Sequence, residues 1–191
     1  MKKLLTLTCL VGGLAGALAS TAVRAEQPEE GSLNQEARQQ AMMFGKQLMQ
    51  TVQKGMKAGG PTEAIHLCNV EAPEIATAHS QGDWAVGRTS LKIRNPDNAP
   101  DSWELATLKD FDQRLAAGET PATLEASIVE NGEYRYMKAI PTGALCLNCH
   151  GSALAEPVQT RLSKLYPHDK AVGYQAGQLR GAFTLRKTLA E

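Results

Sequence analysis

The sequence predicts an α+β fold: a small, mainly antiparallel sheet flanked by helices, with a long helix on the N-terminal side. Three observations carry this. Residues 33–60 repeat apolar side chains at helical spacing, residues 123–140 alternate around Asn131-Gly132, and strands and helices do not take turns along the chain. The irregular order argues against a Rossmann-type, doubly wound parallel sheet.

Each element has its own signal. In 33-LNQEARQQAMMFGKQLMQTVQKGMKAGG-60, Ala41, Phe44, Leu48, Val52 and Met56 share a helical stripe, and Gly59-Gly60 closes the run. Met42, Met49 and Met56 recur every seventh residue, the spacing of a core stripe or of a seam with a second helix, so a helix-mediated homodimer is one expectation. Thr62 is placed to cap a second helix, 63-EAIHLCNVEA-72. Pro73 is expected to interrupt or kink that helix, because proline has no amide proton for the ladder, and a short helical turn over 74–80 follows. Residues 84–95 read as a strand in which Trp84, Val86, Arg88 and Ser90 alternate with Ala85, Gly87, Thr89 and Leu91. A loop over 96–102 leads into a helix over 102–118 that ends at its glycine. Asn131-Gly132 then joins two alternating arms as a hairpin, since both residues tolerate positive φ. A helix at about 157–167 and a strand over 179–189 complete the chain.

The start of the chain has the layout of a secretory signal peptide. Lys2 and Lys3 precede an uncharged run from Leu4 to Val23 and a small-residue site, Val23-Arg24-Ala25, so cleavage is expected between Ala25 and Glu26; a second small-residue site ends at Ala19. A retained membrane anchor is the competing reading, because the run approaches spanning length, but its Gly, Ala, Thr and Ser content and the acidic segment after it favour cleavage. Cys9 follows Thr8 very early in the run, which fits a lipoprotein poorly. Removing residues 1–25 leaves 166 residues, 26–191, enough for one domain with one core. They carry 17 basic and 20 acidic side chains, a net charge near −3 with no basic stripe, which excludes a nucleic-acid partner. The expected location is the periplasm, with no stable membrane span after cleavage.

Export leaves three cysteines, Cys68, Cys146 and Cys149, so one stands outside any pair. In 145-LCLNCHG-151 two of them and His150 form C-x-x-C-H, the attachment sequence of c-type haem. There each thiol adds to one vinyl group and the adjacent histidine is the proximal iron ligand. A thioredoxin-like dithiol would open a helix after the first strand of a βαβ unit, whereas here the motif follows a hairpin late in the chain. A zinc site needs four ligands, which only Cys68 could complete. Haem is the favoured reading, one per chain.

Cys68 lies with Pro61, Ala64, Ile65 and Ala72 on one small, apolar helical face, and His66 points away from it. If this helix covers the haem, Cys68 is the natural distal ligand. An open or water-bound position, a buried small hydrophobe and an intermolecular disulfide remain as alternatives, and His79, His168 and Met137 are competing ligands. Arg88, in mid-strand, suits either a haem propionate or a surface charge, and Arg94 is a weaker candidate for the same contact. Trp84 and Tyr136 are expected to pack a core or a haem edge. No G-x-S-x-G, H-E-x-x-H or peroxidase-type distal pair is present, so no enzymatic activity is expected.

Four runs, 64-AIHLCNVEAPEIA-76, 87-GRTSLKIRNPDNAPDSWE-104, 134-YRYMKAIPTGALCLNCHG-151 and 169-DKAVGYQAGQLRGAFTL-185, together resemble a c-type haem family with a PAS-like fold. The family was first catalogued as a domain of unknown function. It occurs as a cyanobacterial haem protein that copurifies with photosystem II and as sensor regions of bacterial signalling proteins. The resemblance implies a PAS-like antiparallel sheet with a long N-terminal helix, haem held by Cys146 and Cys149, and His150 and Cys68 as the axial pair. The expected function is an exported monohaem sensor of redox state or of a diatomic gas, acting on an unknown redox or signalling partner. A low-potential electron-transfer cytochrome c is the alternative.

Overall fold

The computed structural model describes residues 29–189, so the expected signal peptide, with Cys9, lies outside the described residues. Helix α1 (Glu30–His79) is broken only at Gly59 and Gly60, with φ/ψ of −162/21 and 71/−158. The positive φ of Gly60 is one that only glycine adopts without strain. Across this break the chain folds back on itself. A Cβ on Gly55 would stand 2.4 Å from the Cα of Ala64, Thr51 donates to Glu71 at 3.0 Å, and His79 pairs with Gln47 at 2.9 Å. The partners diverge in sequence from the break, which is the signature of two antiparallel arms.

The second arm differs from the sequence reading in two respects. Thr62 is not its cap: the helix resumes at Pro61, and the Thr62 hydroxyl donates to the Gly59 carbonyl at 3.3 Å. Pro73 does not interrupt the arm, whose backbone stays helical to His79. Proline removes one ladder bond here, while Ala72 and Ile75 on either side are buried in the core, and that packing outweighs the loss.

The sheet has the antiparallel order β1-β4-β3-β2, built from β1 (Trp84–Thr89), β2 (Glu125–Glu130), β3 (Glu133–Pro141) and β4 (Leu179–Thr188). The α+β class and its PAS-like arrangement, a helix-flanked antiparallel sheet with a long N-terminal helix, are as expected. The hairpin also holds, with Asn131 at φ 52 and Gly132 at φ 74. Strand β1 is shorter than the 84–95 run: the Ser90 hydroxyl donates to Arg180 O at 2.7 Å and accepts from Lys92 N, turning the chain out of the sheet.

Helix α1 covers one face of the sheet, where Leu33, Ala37, Ala41, Phe44 and Leu48 meet Trp84, Val86, Tyr134, Tyr136 and Leu185. Helix α2 (Ser102–Ala116), capped reciprocally by Asp101 and Glu104, covers the other with Leu108 and Phe111 against Leu124 and Met137. The short α3 (Leu147–His150) follows β3, and α4 (Glu156–Leu165) packs Val158 and Leu162 on Ile65 of the second arm. Trp84 and Tyr136 are core residues. Met42 and Met49 are exposed, at 68% and 42%, beside the buried stripe of α1 and not in it.

Two stability consequences follow. Gly55→Val drives a side chain into the backbone of the second arm and should destabilise the protein by about 2 kcal/mol in urea titration. Glu125 joins α1 to the sheet by accepting from Arg38 and Tyr136. The Arg38 hydrogen bond, against opposing burial and with help from Tyr136, holds its carboxyl down to about 2. Because the folded value is depressed, this stabilisation is complete above the ordinary carboxyl range and disappears as pH falls from about 4.5 through about 2. Glu125→Gln should flatten the stability-against-pH curve in that window.

Candidate functional site

Between the α1 hairpin, the ends of β1 and β4, and α3 lies an apolar cavity of about 240 Å³. An apolar concavity with a few converging polar side chains is the usual form of a small-molecule site. Cys68 reaches it from the second arm of α1, Cys146, Cys149 and His150 from the α3 turn, and Arg88 from β1. All five residues singled out by the sequence therefore face one space.

Thr142 N donates to Gln178 O and Cys146 N to Gly143 O as the chain leaves β3, which brings the motif directly from the sheet into its helical turn. The His150 ring is oriented by its Nδ1–H, which donates to Ala171 O at 2.7 Å, leaving the Nε2 lone pair for a metal. Tyr174 meets the same ring edge-on at 6.2 Å between centroids. Burial, and then the charges of Arg180, Arg94 and Arg88, push the His150 pKa down to about 2, so the imidazole is neutral. Burial raises the thiol pKa of Cys68, with Arg88 and then Arg94 opposing it, and raises that of Cys149. The Cys149 thiol lies 4.0 Å from the Pro61 carbonyl, at the start of the second arm.

The competing ligands lie elsewhere. Met137 is fully buried under α2 on the opposite face of the sheet. His79 stacks on Phe44, 5.5 Å between centroids, three helical turns beyond Cys68. His168 is exposed and does not line the cavity. Of the expected helix face, Ala64, Ile65 and Cys68 line the cavity, whereas Ala72 belongs to the core under the sheet.

Arg94 is not a free cation. It donates to Asp169 Oδ2 at 3.0 Å and to Cys149 O at 2.6 Å, which binds the loop holding Ala171 to the motif. Arg88 is different: among the described residues it makes no hydrogen bond or ion pair. A third lining arginine, Arg180, stands at a bulge in β4, where Ile140 pairs with Gly181 and Pro141 with Leu179. Sequence reasoning missed it. Its signal is the following glycine, where a Cβ would lie 2.3 Å from Thr89 O, because a close backbone approach of this kind accompanies bulges.

Among the described residues no three His, Cys, Asp or Glu side chains converge on a point that could hold a metal ion. Cys146, Cys149 and His150 line the cavity from the α3 turn and Cys68 from the wall opposite. The donor set suits a ligand with area.

Among solved structures the chain resembles the cyanobacterial heme-protein Tll0287, with a TM-score of 0.61 at 23% identity, covering 86% of this chain and 99% of that one. No curated protein matches. A family model described as Tll0287-like matches residues 27–187, nearly the whole length, and the chain belongs to the Tll0287-like family.

Proposed function

We propose that the protein is an exported monohaem c-type haem-binding protein that senses redox state or a small ligand and is not an enzyme. One observation carries the reading: two thiols and a histidine oriented by its Nδ1–H line an apolar cavity that Cys68 faces from another wall. The similar solved structure is that of a heme-protein, which supports the same cofactor here. Haem supplies a redox-active iron whose axial ligands set its potential.

The chain's own residues divide the work. Cys146 and Cys149 hold the group covalently, and the apolar lining around Leu48, Val52 and Ile65 excludes water. His150 is the proximal donor through Nε2, its orientation set by Ala171. Cys68 is the distal donor, a thiolate that favours the ferric state and a low potential. Sensing is favoured over electron transfer because the two residues that would hold the iron differ in kind, a histidine fixed by Ala171 O and a cysteine with no hydrogen bond among the described residues, so the cysteine would be the one to yield. The periplasm is the proposed location, and a redox or signalling protein the proposed partner.

Purified from a host that attaches haem, the protein should keep its haem through denaturing electrophoresis and lose it there after Cys146→Ala with Cys149→Ala. The ferric spectrum should show thiolate ligation. Reduction should remove that signature and admit CO; a ferrous state that stays six-coordinate under CO sinks the sensor in favour of electron transfer, and catalytic turnover of peroxide revives an enzyme. Cys68→Ala should abolish the ferric thiolate signature and raise the potential, and an unaltered spectrum removes Cys68 from the iron.

A further inference from the structure

The cavity contains more positive charge than its own residues balance. Arg88, Arg94 and Arg180 all line it, and of the three only Arg94 has a carboxylate partner, Asp169. Arg180 donates through Nη1 to Ser90 Oγ at 3.0 Å and to Lys92 O at 3.5 Å, and lies 5.3 Å over the Tyr174 ring. Those contacts fix where its guanidinium sits, but they bring no negative charge. Arg88 has no polar partner among the described residues. Partial burial pushes both guanidinium pKa values down. Arg88 and Arg180 are half-buried at the wall of an apolar space that offers them no carboxylate, so a ligand bringing two negative charges would complete both sites. The bulge strengthens the point, because bulges re-aim single side chains and this one turns Arg180 to the cavity that Arg88 enters from β1.

We propose that Arg88 and Arg180 form a two-point anion clamp, each taking one carboxylate of a ligand that carries two, and that the clamp fixes which way round the ligand lies. The proposal rests on the haem reading of the cavity, in which the carboxylates are the two propionates. Arginine suits the task, since its planar fork matches a carboxylate in bidentate geometry and keeps its charge when buried. Ser90 acts as a positioning residue for Arg180 through its hydroxyl.

The test uses the mature chain with Cys146→Ala and Cys149→Ala, which holds haem reversibly, titrated by absorbance with protohaem and with its dimethyl ester. Arg88→Gln and Arg180→Gln should each weaken protohaem by about tenfold or more while leaving the ester within about twofold. The haem-free thermal midpoint of Arg88→Gln should hold, because Arg88 has no polar partner to lose, and that of Arg180→Gln should fall by no more than the loss of its hydrogen bonds to Ser90 and Lys92 accounts for. Equal losses with both haems, or no loss with protohaem, overturns the clamp while the haem reading stands. Failure of the wild-type protein to carry haem overturns both. In the covalent wild-type holoprotein, where folding of the double cysteine variant is not needed, either substitution should move the pH-dependent step of the reduction potential to higher pH. A nearby cation lowers a carboxyl pKa and its removal raises it, so an unmoved step overturns the clamp independently.

Discussion

Arg94 holds the site together. Its guanidinium ties three segments that are far apart in sequence: the turn after β1, the end of the C-x-x-C-H helix through Cys149 O, and the loop after α4 through Asp169. The pair with Asp169 is largely buried, with side-chain exposures of 13% and 8%. Removing one partner of such a pair leaves the other charge stranded, at a cost of about 3–5 kcal/mol. Asp169 also accepts from Ala171 N, and Ala171 O accepts from His150, so one charge on the far side of the motif determines where a ring nitrogen points. Tyr174 N and Gly173 N, bonded to His150 O and Gly151 O, close the loop on the motif from the other direction.

The opposite wall of the cavity is built by other means. Cys68 stands on the second arm of α1, which bonds to the first arm through Glu71 with Thr51 and Lys54, and through His79 with Gln47. Toward α4 the contact is apolar, with Ile65 on Val158 and Leu162, and toward α3 it is the long sulfur contact to Pro61 O. Directional hydrogen bonds fix the His150 wall to within a narrow geometry, while close packing places the Cys68 wall.

Much of this was legible in the sequence, for local reasons. Asn131-Gly132 and Gly59-Gly60 mark chain reversals because positive φ is a property of the residues themselves, and C-x-x-C-H marks its chemistry because the spacing is that of one helical turn. Pro73 does not end the helix because the packing of Ala72 and Ile75 that outweighs its lost hydrogen bond is set by other elements, with Phe44 and Leu48 of the first arm and Trp84 of β1 in the same core. Arg94 read as a weak anion ligand because Asp169, its partner, lies 75 residues on. Arg180 was illegible for the same reason: its bulge exists only once β3 and β4 are paired, and nothing but the adjacent glycine betrays it locally.

The two walls differ in a way that bears on what the cavity can do. Under the proposed reading His150 and Cys68 hold one group between them, and a change in their separation is met first by the wall that resists least. The His150 wall is anchored by a buried ion pair and several short hydrogen bonds, all of which would break together. Around Cys68 itself the wall rests on small and apolar contacts, Gly55 against Ala64 in the hairpin and Ile65 on α4, while its polar ties, Glu71 to Thr51 and Lys54 and His79 to Gln47, lie further along the arm. Movement of that arm carries α4 and the Gly59-Gly60 turn with it. Under that reading a displacement at Cys68 would pass to α4 through Ile65, in the same cluster on which Cys149 of the motif packs.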